Sequence, residues 1–355
     1  MNVSVARRDR ILGCLLGGAI GDALGAPIEF FTMEEIRAEH GPQGITGYVS
    51  GGWPSGTFTD DTQMTLFTAE GLIRAAVGGR GGQPVDTPLV IWHAYQRWLE
   101  TQGYPVPWDR EFPPRPSGWL VQEPALRHRR APGTTCISAL RTGRRGSISF
   151  PLNHSKGCGG VMRVAPIGLV AADPFNLACE AAALTHSHPS GYLSAGAFAA
   201  VLAGVAHGSS LASSIDRAVD LLRARPGHEE TLQAVEAAVN LAGSGTPPSP
   251  ETVETLGGGW VAEEALAITL YCALVGADFR SSVLLAVNHS GDSDSTGSMV
   301  GNLLGAALGL EALPGEWLEG LQARALVEQV AIDLAATTEG EPNDWGWRDD
   351  RYPGW

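Results

Sequence analysis

Glycine recurs at every fourth position in two apolar stretches near opposite ends of this 355-residue chain, at Gly13, Gly17, Gly21 and Gly25 and again at Gly297, Gly301, Gly305 and Gly309. Four-residue spacing puts each set on one slowly turning face of a helix. Each glycine weakens its helix by roughly 1 kcal/mol relative to alanine, so the bare stripe must be offset by close backbone packing. In a membrane such stripes drive helix pairing, but Asp22 and the shortness of both apolar runs argue against spanning segments. Two core helices whose backbones approach their neighbours are expected.

Elsewhere the apolar pattern is helical almost throughout, over about 60–77, 88–100, 134–142, 160–171, 174–186, 190–206, 210–224, 228–242, 261–275, 279–290 and 320–337. Thr32 and Glu35 form a capping box for a further short helix. No sustained period-two pattern indicates a strand, so the fold class is all-α, a single compact many-helix body. The proline-rich stretch 103–133, with Trp108 and Trp119, suggests an ordered flap over a site. The Gly/Pro/Ser-rich stretch 243–259 reads as peripheral, and Trp345, Trp347 and Trp355 in the tail read as packing back on the body.

Two acidic clusters each precede a helical stretch: Thr59-Asp60-Asp61-Thr62, and Asp292-Ser293-Asp294-Ser295-Thr296. Their carboxylate and hydroxyl oxygens are hard ligands that suit Mg²⁺, Mn²⁺ or Ca²⁺, whereas Zn²⁺ calls for closely spaced His and Cys. Either cluster alone is also what an N-cap looks like. A cap uses one side chain, however, and neighbouring acids repel unless a cation or solvent screens them. Asp292, Asp294, Thr296 and Gly297 also fit positions 1, 3, 5 and 6 of an EF-hand loop, but Leu303 stands where the closing Glu belongs, which argues against that motif.

With 38 acids against 24 bases the net charge is −14, which argues against a phosphate-backbone binder such as a DNA-binding domain. The one lysine, Lys156, lies in the run Lys156-Gly157-Cys158-Gly159-Gly160, where backbone N–H groups beside a cation suit a phosphate cradle, although this is no Walker A loop. Five cysteines without C-x-x-C spacing read as small core residues of a reducing, cytoplasmic compartment. Arg7, Arg8 and Arg10 before the apolar run 11–20 imitate a signal peptide; Asp22 and the glycines that follow give that run a use in the fold instead.

In family order the motifs at 13–29 (GCLLGGAIGDALGAPIE), 57–62 (TFTDDT), 156–166 (KGCGGVMRVAP), 185–189 (THSHP) and 288–299 (NHSGDSDSTGSM) closely resemble those of the ADP-ribosylglycohydrolase family. The resemblance implies one catalytic domain over 1–340 with a tail, 341–355, on or near it, and a binuclear centre of two Mg²⁺ or Mn²⁺. Carried over by motif, Thr59, Asp60 and Asp61 hold one metal and Asp292 and Ser295 the other, with Asp294 shared. Ser295 stands where some members have Thr and keeps the hydroxyl. Glu29 matches a family glutamate near the metals, and Glu29, Asp60, Asp61 and Asp294 are the candidates for general acid or base. The Lys156–Gly160 run, Cys158 included, and His186 are expected to hold the ADP part; Arg163 is as well explained by a structural ion pair. The implied reaction is hydrolysis of ADP-ribose from a modified acceptor, with ADP-ribosyl-arginine on protein favoured over ADP-ribosyl-serine, O-acetyl-ADP-ribose or modified nucleic acid. A non-catalytic ADP-ribose-binding protein is the reading outside enzymes. No membrane partner is expected, nucleic acid only as a modified substrate, and a monomer.

Overall fold

The computed structural model describes residues 3–79, 82, 84–106, 118–338 and 350–353. Trp108, Trp345, Trp347 and Trp355 lie outside these. The described residues form α-helices joined by short 3₁₀ turns, and β structure among them is limited to an isolated bridge between Gly157 and Val261. In chain order the helices are α1 (Val3–Gly25), α2 (Met33–His40), α3 (Asp60–Gly78), α4 (Thr87–Thr101), α5 (Thr134–Arg141), α6 (Ala165–Val170), α7 (Pro174–Ala183) and α8 (Pro189–Ala206). There follow α9 (Leu211–Arg223), α10 (Glu229–Gly243), α11 (Pro250–Glu254), α12 (Ala262–Val275), α13 (Phe279–Val287), α14 (Ser293–Leu308), α15 (Gly315–Gly320) and α16 (Arg324–Ala336).

The starts are chemically marked. Thr32 and Glu35 form the expected capping box on α2, Asp278 and Ser281 form another on α13, and proline occupies the first turn of α4, α6, α7, α8 and α11, where a missing N–H costs nothing. Four expected helices are shorter than their apolar pattern: the stretch from 174 stops at Ala183, the stretch from 320 starts at Arg324, and the other two have a visible cause. The stretch from 160 becomes helical only at Ala165, because Cys158–Gly160 form a 3₁₀ turn of mostly glycine, a poor helix former. The stretch to 290 stops at Val287, because the Asn288 amide turns to pair with both backbone groups of Ile45 and Gly291 takes a φ of 156°.

At the centre α1 and α14 run antiparallel with their glycine stripes facing. A Cβ built on Gly13 would meet Gly305 O at 2.5 Å, on Gly17 it would meet Gly301 O at 2.4 Å, and on Gly21 it would meet Gly297 O at 2.0 Å. Each four-residue step up α1 thus matches a four-residue step down α14, and Gly25 closes the series against Ser293 O at 2.2 Å. No side chain separates the helices at these points, so their backbones touch. By length and hydropathy the segment Arg7–Ile28 is long enough to cross a membrane, contrary to the expectation from its apolar run, but 89% of its window is buried inside the protein. The same holds for α8, at 72%.

Near the other end of the chain Tyr352 is fully buried, its hydroxyl donating to Asp333 and its ring meeting Trp119 edge-on at 6.3 Å. Trp119 therefore packs against the body, while Ala131, Pro132 and Gly133 from the same long connection line the cavity described next.

Candidate functional site

The glycine ladder decides what lies at its open end. Because Gly25 sits on Ser293, the C-terminal end of α1 meets the N-terminal end of α14, and Glu29, just past the 3₁₀ turn Ala26–Ile28, comes beside the second acidic cluster. Carboxylate oxygens of Glu29, Asp292 and Asp294 all lie within 4.8 Å of one another. The first cluster joins them at the start of α3: the Thr59 hydroxyl lies 3.1 Å from Asp294 Oδ2, across the two clusters. Asp60, Asp61, Glu29, Asp292, Asp294 and Ser295 line one cavity of about 350 Å³.

Helix capping accounts for little of this. Thr59 is the N-cap of α3 and accepts from Asp61 N at 3.4 Å, but Asp292, at the N-cap position of α14, makes no capping hydrogen bond with its side chain. Asp60 accepts from Gly133 N at 3.2 Å, and Asp61 Oδ1 is buried without a partner among the described residues. Among the described residues none of these acids is ion-paired to an arginine or lysine. Burial first, and then neighbouring carboxylates, Asp294 foremost, push Asp60, Asp61 and Asp292 well above the usual carboxylate range, and Glu29 up to about 10. Burial likewise raises Asp294. Oxygen donors crowded together without countercharge, one of them orphaned, fit a divalent cation, which satisfies a buried carboxylate as no neutral partner does.

A sixth acid was not singled out from the sequence. Asp22 on α1 is fully buried and clamps the first cluster from behind: Oδ1 accepts from Thr59 N (2.8 Å) and Oγ1 (2.9 Å), Oδ2 from Thr62 N (2.9 Å) and Oγ1 (2.6 Å). Burial and Asp294 raise its pKa to about 7 against the pull of those hydrogen bonds. The signal was there, since a carboxylate inside an apolar helix must be bonded to something specific. Asp22 holds the turn that aims Asp60 and Asp61 into the cavity.

The residues expected to hold the ADP part divide. Gly157, Cys158, Gly159 and His186 line the cavity; Lys156 and Gly160 do not. Lys156 is instead bound to Glu230 and Glu263, so its ammonium is engaged away from the site. Gly157 N donates to Ser155 Oγ and Cys158 N to Trp260 O, which leaves Gly159 as the better placed of those amides. The Cys158 thiol donates to Asp292 Oδ2 at 2.7 Å. At Gly159 a Cβ would stand 3.0 Å from both the His186 ring and Cys136 Sγ, so glycine is what lets the loop pass that close. Arg163 is fully buried but, contrary to the ion-pair expectation, it donates to Ala181 O and Thr185 Oγ1 and lies 4.2 Å over the Tyr95 ring. Thr185 Oγ1 in turn holds His186 Nδ1 at 2.8 Å, so Arg163 fixes His186 through it. Burial and Arg163 lower the His186 pKa to about 3, a neutral ring at physiological pH.

The stretch 243–259 is not wholly peripheral. Gly258 O accepts from Asp292 N at 2.8 Å, the Gly258 and Gly259 amides donate to Glu264, and the next residue, Trp260, forms part of the cavity wall.

Residues 4–344 match the family model described as ADP-ribosylglycohydrolase. The chain is 30% identical to an uncharacterised protein of Archaeoglobus fulgidus, covering 92% of this chain and 96% of that one. It is 27% identical to the ADP-ribosyl-[dinitrogen reductase] glycohydrolase of Rhodospirillum rubrum (88% and 90%) and 24% identical to the ADP-ribosylarginine hydrolase Tri1 of Pseudomonas putida (92% and 78%). A solved structure titled ADP-ribosylglycohydrolase-related protein complex matches with a TM-score of 0.58 at 26% identity, over 94% of this chain and 99% of that chain.

Proposed function

The chain belongs to the ADP-ribosylglycohydrolase family and is an ADP-ribosyl hydrolase, and from that premise we propose that it cleaves the bond between ADP-ribose and an arginine side chain of a modified protein, with divalent metal. The observation that carries the metal reading is the cavity wall itself: among the described residues Asp60, Asp61, Asp292 and Asp294 are buried without an ion pair, and one Asp61 oxygen lacks any partner. Thr59, Asp60 and Asp61 would hold one cation and Asp292 and Ser295 a second, with Asp294 between them. The pair, when bound, supplies positive charge that orients ribose hydroxyls and acidifies a water. A modified protein as substrate is supported by the relative named for dinitrogen reductase, and arginine as acceptor by the relative named ADP-ribosylarginine hydrolase.

The chain's own groups do the rest. The cluster's negative charge favours the oxocarbenium character that develops at C1 of the ribose. Glu29 is the acid at the rim of the cluster, half-buried where the aspartates are buried, and so reaches both the cluster and the cavity mouth. We assign it the proton transfer at the scissile bond. His186, held by Thr185 and Arg163, and the Gly159 amide bind the ADP portion.

The test is to incubate the protein with ADP-ribosyl-arginine, ADP-ribosyl-serine and O-acetyl-ADP-ribose, each with Mg²⁺, Mn²⁺ or EDTA, and to follow free ADP-ribose. Metal-dependent release from the arginine conjugate is expected. Release that survives both EDTA and Asp294→Ala would overturn the metal mechanism, and release confined to the serine or acetyl conjugate would overturn the acceptor.

A further inference from the structure

Two large aromatic side chains stand open to solvent beside the acidic cluster, where burial would ordinarily be favoured. Phe30 is 73% exposed and Trp260 44% exposed, and both line the cavity that holds Glu29, Asp292 and Asp294. Their rings are stacked, with centroids 5.7 Å apart and planes inclined by 20°. Neither is a loose surface residue. Phe30 follows Glu29 directly, and the Trp260 carbonyl is tied to Cys158 N at 3.1 Å. Gly259 packs so tightly against α14 that a Cβ there would stand 2.9 Å from the Thr296 methyl group and 3.3 Å from Asp292 Cβ. The stacked pair is therefore fixed to the same two elements that carry the acids.

An exposed pair of aromatic faces at the mouth of the cavity favours a group that is at once planar, weakly hydrated on its faces and cationic. A guanidinium has all three properties, and it stacks on aromatic rings where an ammonium or a hydroxyl does not. The chain already uses this contact internally, with Arg163 lying 4.2 Å over Tyr95 and Arg280 lying 4.4 Å over Trp317. Among the described residues no arginine covers Phe30 or Trp260.

We propose that Phe30 and Trp260 form the acceptor subsite, taking the guanidinium of the ADP-ribosylated arginine against their exposed faces and thereby setting preference for arginine over hydroxyl acceptors. The proposal rests on the arginine reading above. A serine hydroxyl and an acetyl ester carry no positive charge to set against the ring faces, so their binding does not depend on the pair.

The experiment compares wild type with Phe30→Ala, Trp260→Ala and Trp260→Phe on matched peptides carrying ADP-ribosyl-arginine or ADP-ribosyl-serine, with agmatine as a competing guanidinium. Each alanine variant should raise KM for the arginine conjugate and the agmatine inhibition constant together, by about 2- to 30-fold for loss of one cation–π contact, with kcat nearly unchanged. Turnover of the serine conjugate and affinity for free ADP-ribose should stay at the wild-type level, and Trp260→Phe should recover most of the loss. Equal losses on both conjugates, or an unchanged KM for arginine, refute the subsite. Free ADP-ribose affinity reports whether a variant has folded. Failure of wild type to cleave the arginine conjugate refutes the parent reading instead, whereas cleavage with undiminished preference in all variants refutes only the subsite.

Discussion

Replacing Gly301 by alanine puts one methyl group into the contact on which both the fold and the site depend. The built Cβ would lie 2.0 Å from Gly17 O, 2.5 Å from Gly17 C and 3.1 Å from Gly18 N, all backbone atoms of α1 that no rotamer change can move. Reaching an ordinary contact of about 3.4 Å requires the helices to part locally by about 1.4 Å, and a gap of 0.5–1 Å already forfeits a quarter to a half of each dispersion contact it opens. Overpacking of this kind costs about 1–3 kcal/mol, and a rigid neighbour puts Gly301→Ala at or above the upper end. The gain from replacing glycine in a helix offsets only about 1 kcal/mol, so a net loss of about 2 kcal/mol or more is expected. Because α14 carries Asp292, Asp294 and Ser295 in its first turn and cap, the shift also disturbs the acids, and a displacement near 1 Å is enough for roughly a hundredfold loss of turnover. Urea unfolding followed by circular dichroism measures the first effect and ADP-ribose release the second. Gly243→Ala, at an exposed helix end with nothing within 4 Å, serves as the control and should be neutral or slightly stabilising. A Gly301→Ala midpoint at or above wild type would falsify the account of the ladder.

Three further outcomes follow from the acid cluster. Asp61→Asn should abolish turnover yet raise the melting temperature in EDTA, because it removes an acid whose charged form burial disfavours and whose Oδ1 has no partner among the described residues; a drop in stability in EDTA contradicts the orphaned-oxygen reading. Asp22→Asn should do the opposite to stability, losing about 2–4 kcal/mol by turning an amide N–H₂ toward donors from Thr59 or Thr62, and unchanged unfolding midpoints count against the clamp. The metal-free protein should also become less stable as pH rises. Asp22 at about 7 and Glu29 at about 10 hold protons that their unfolded forms release near pH 4, so the stabilisation is complete below about pH 4 and is lost as pH climbs through the folded values. Melting curves in EDTA between pH 5 and 9 should fall and the increment from Mn²⁺ should widen; a flat or rising EDTA series refutes the linkage.

What could be read from the chain was whatever repeats or concentrates. The glycine stripes announced close helix packing because their period matches the helix, and the paired acids announced a shared site because capping uses too few of them. What could not be read were contacts whose partners are far apart in sequence and singular in kind. Asp22 looked like a lone interruption of an apolar run, and only the fold places Thr59 and Thr62 on its two oxygens. Lys156 drew attention as the one lysine beside glycines, yet it answers to Glu230 and Glu263, which no local pattern connects to it. Trp260 borders a stretch whose composition resembles a surface loop, and its place at the cavity follows from the backbone bonds of Gly258 and Cys158.

The pairing of α1 with α14 also sets a timetable. Gly17 leaves the ribosome long before Gly301, and at about 5–20 residues per second the interval is on the order of 15–60 s. Throughout it the apolar, glycine-lined face of α1 has no partner, while Arg7, Arg8 and Arg10 stand just ahead of it as they do ahead of an export signal. The nascent chain therefore presents to trigger factors and targeting machinery a segment that the finished protein largely buries, and the two acidic clusters cannot meet until the chain has been made past Asp294.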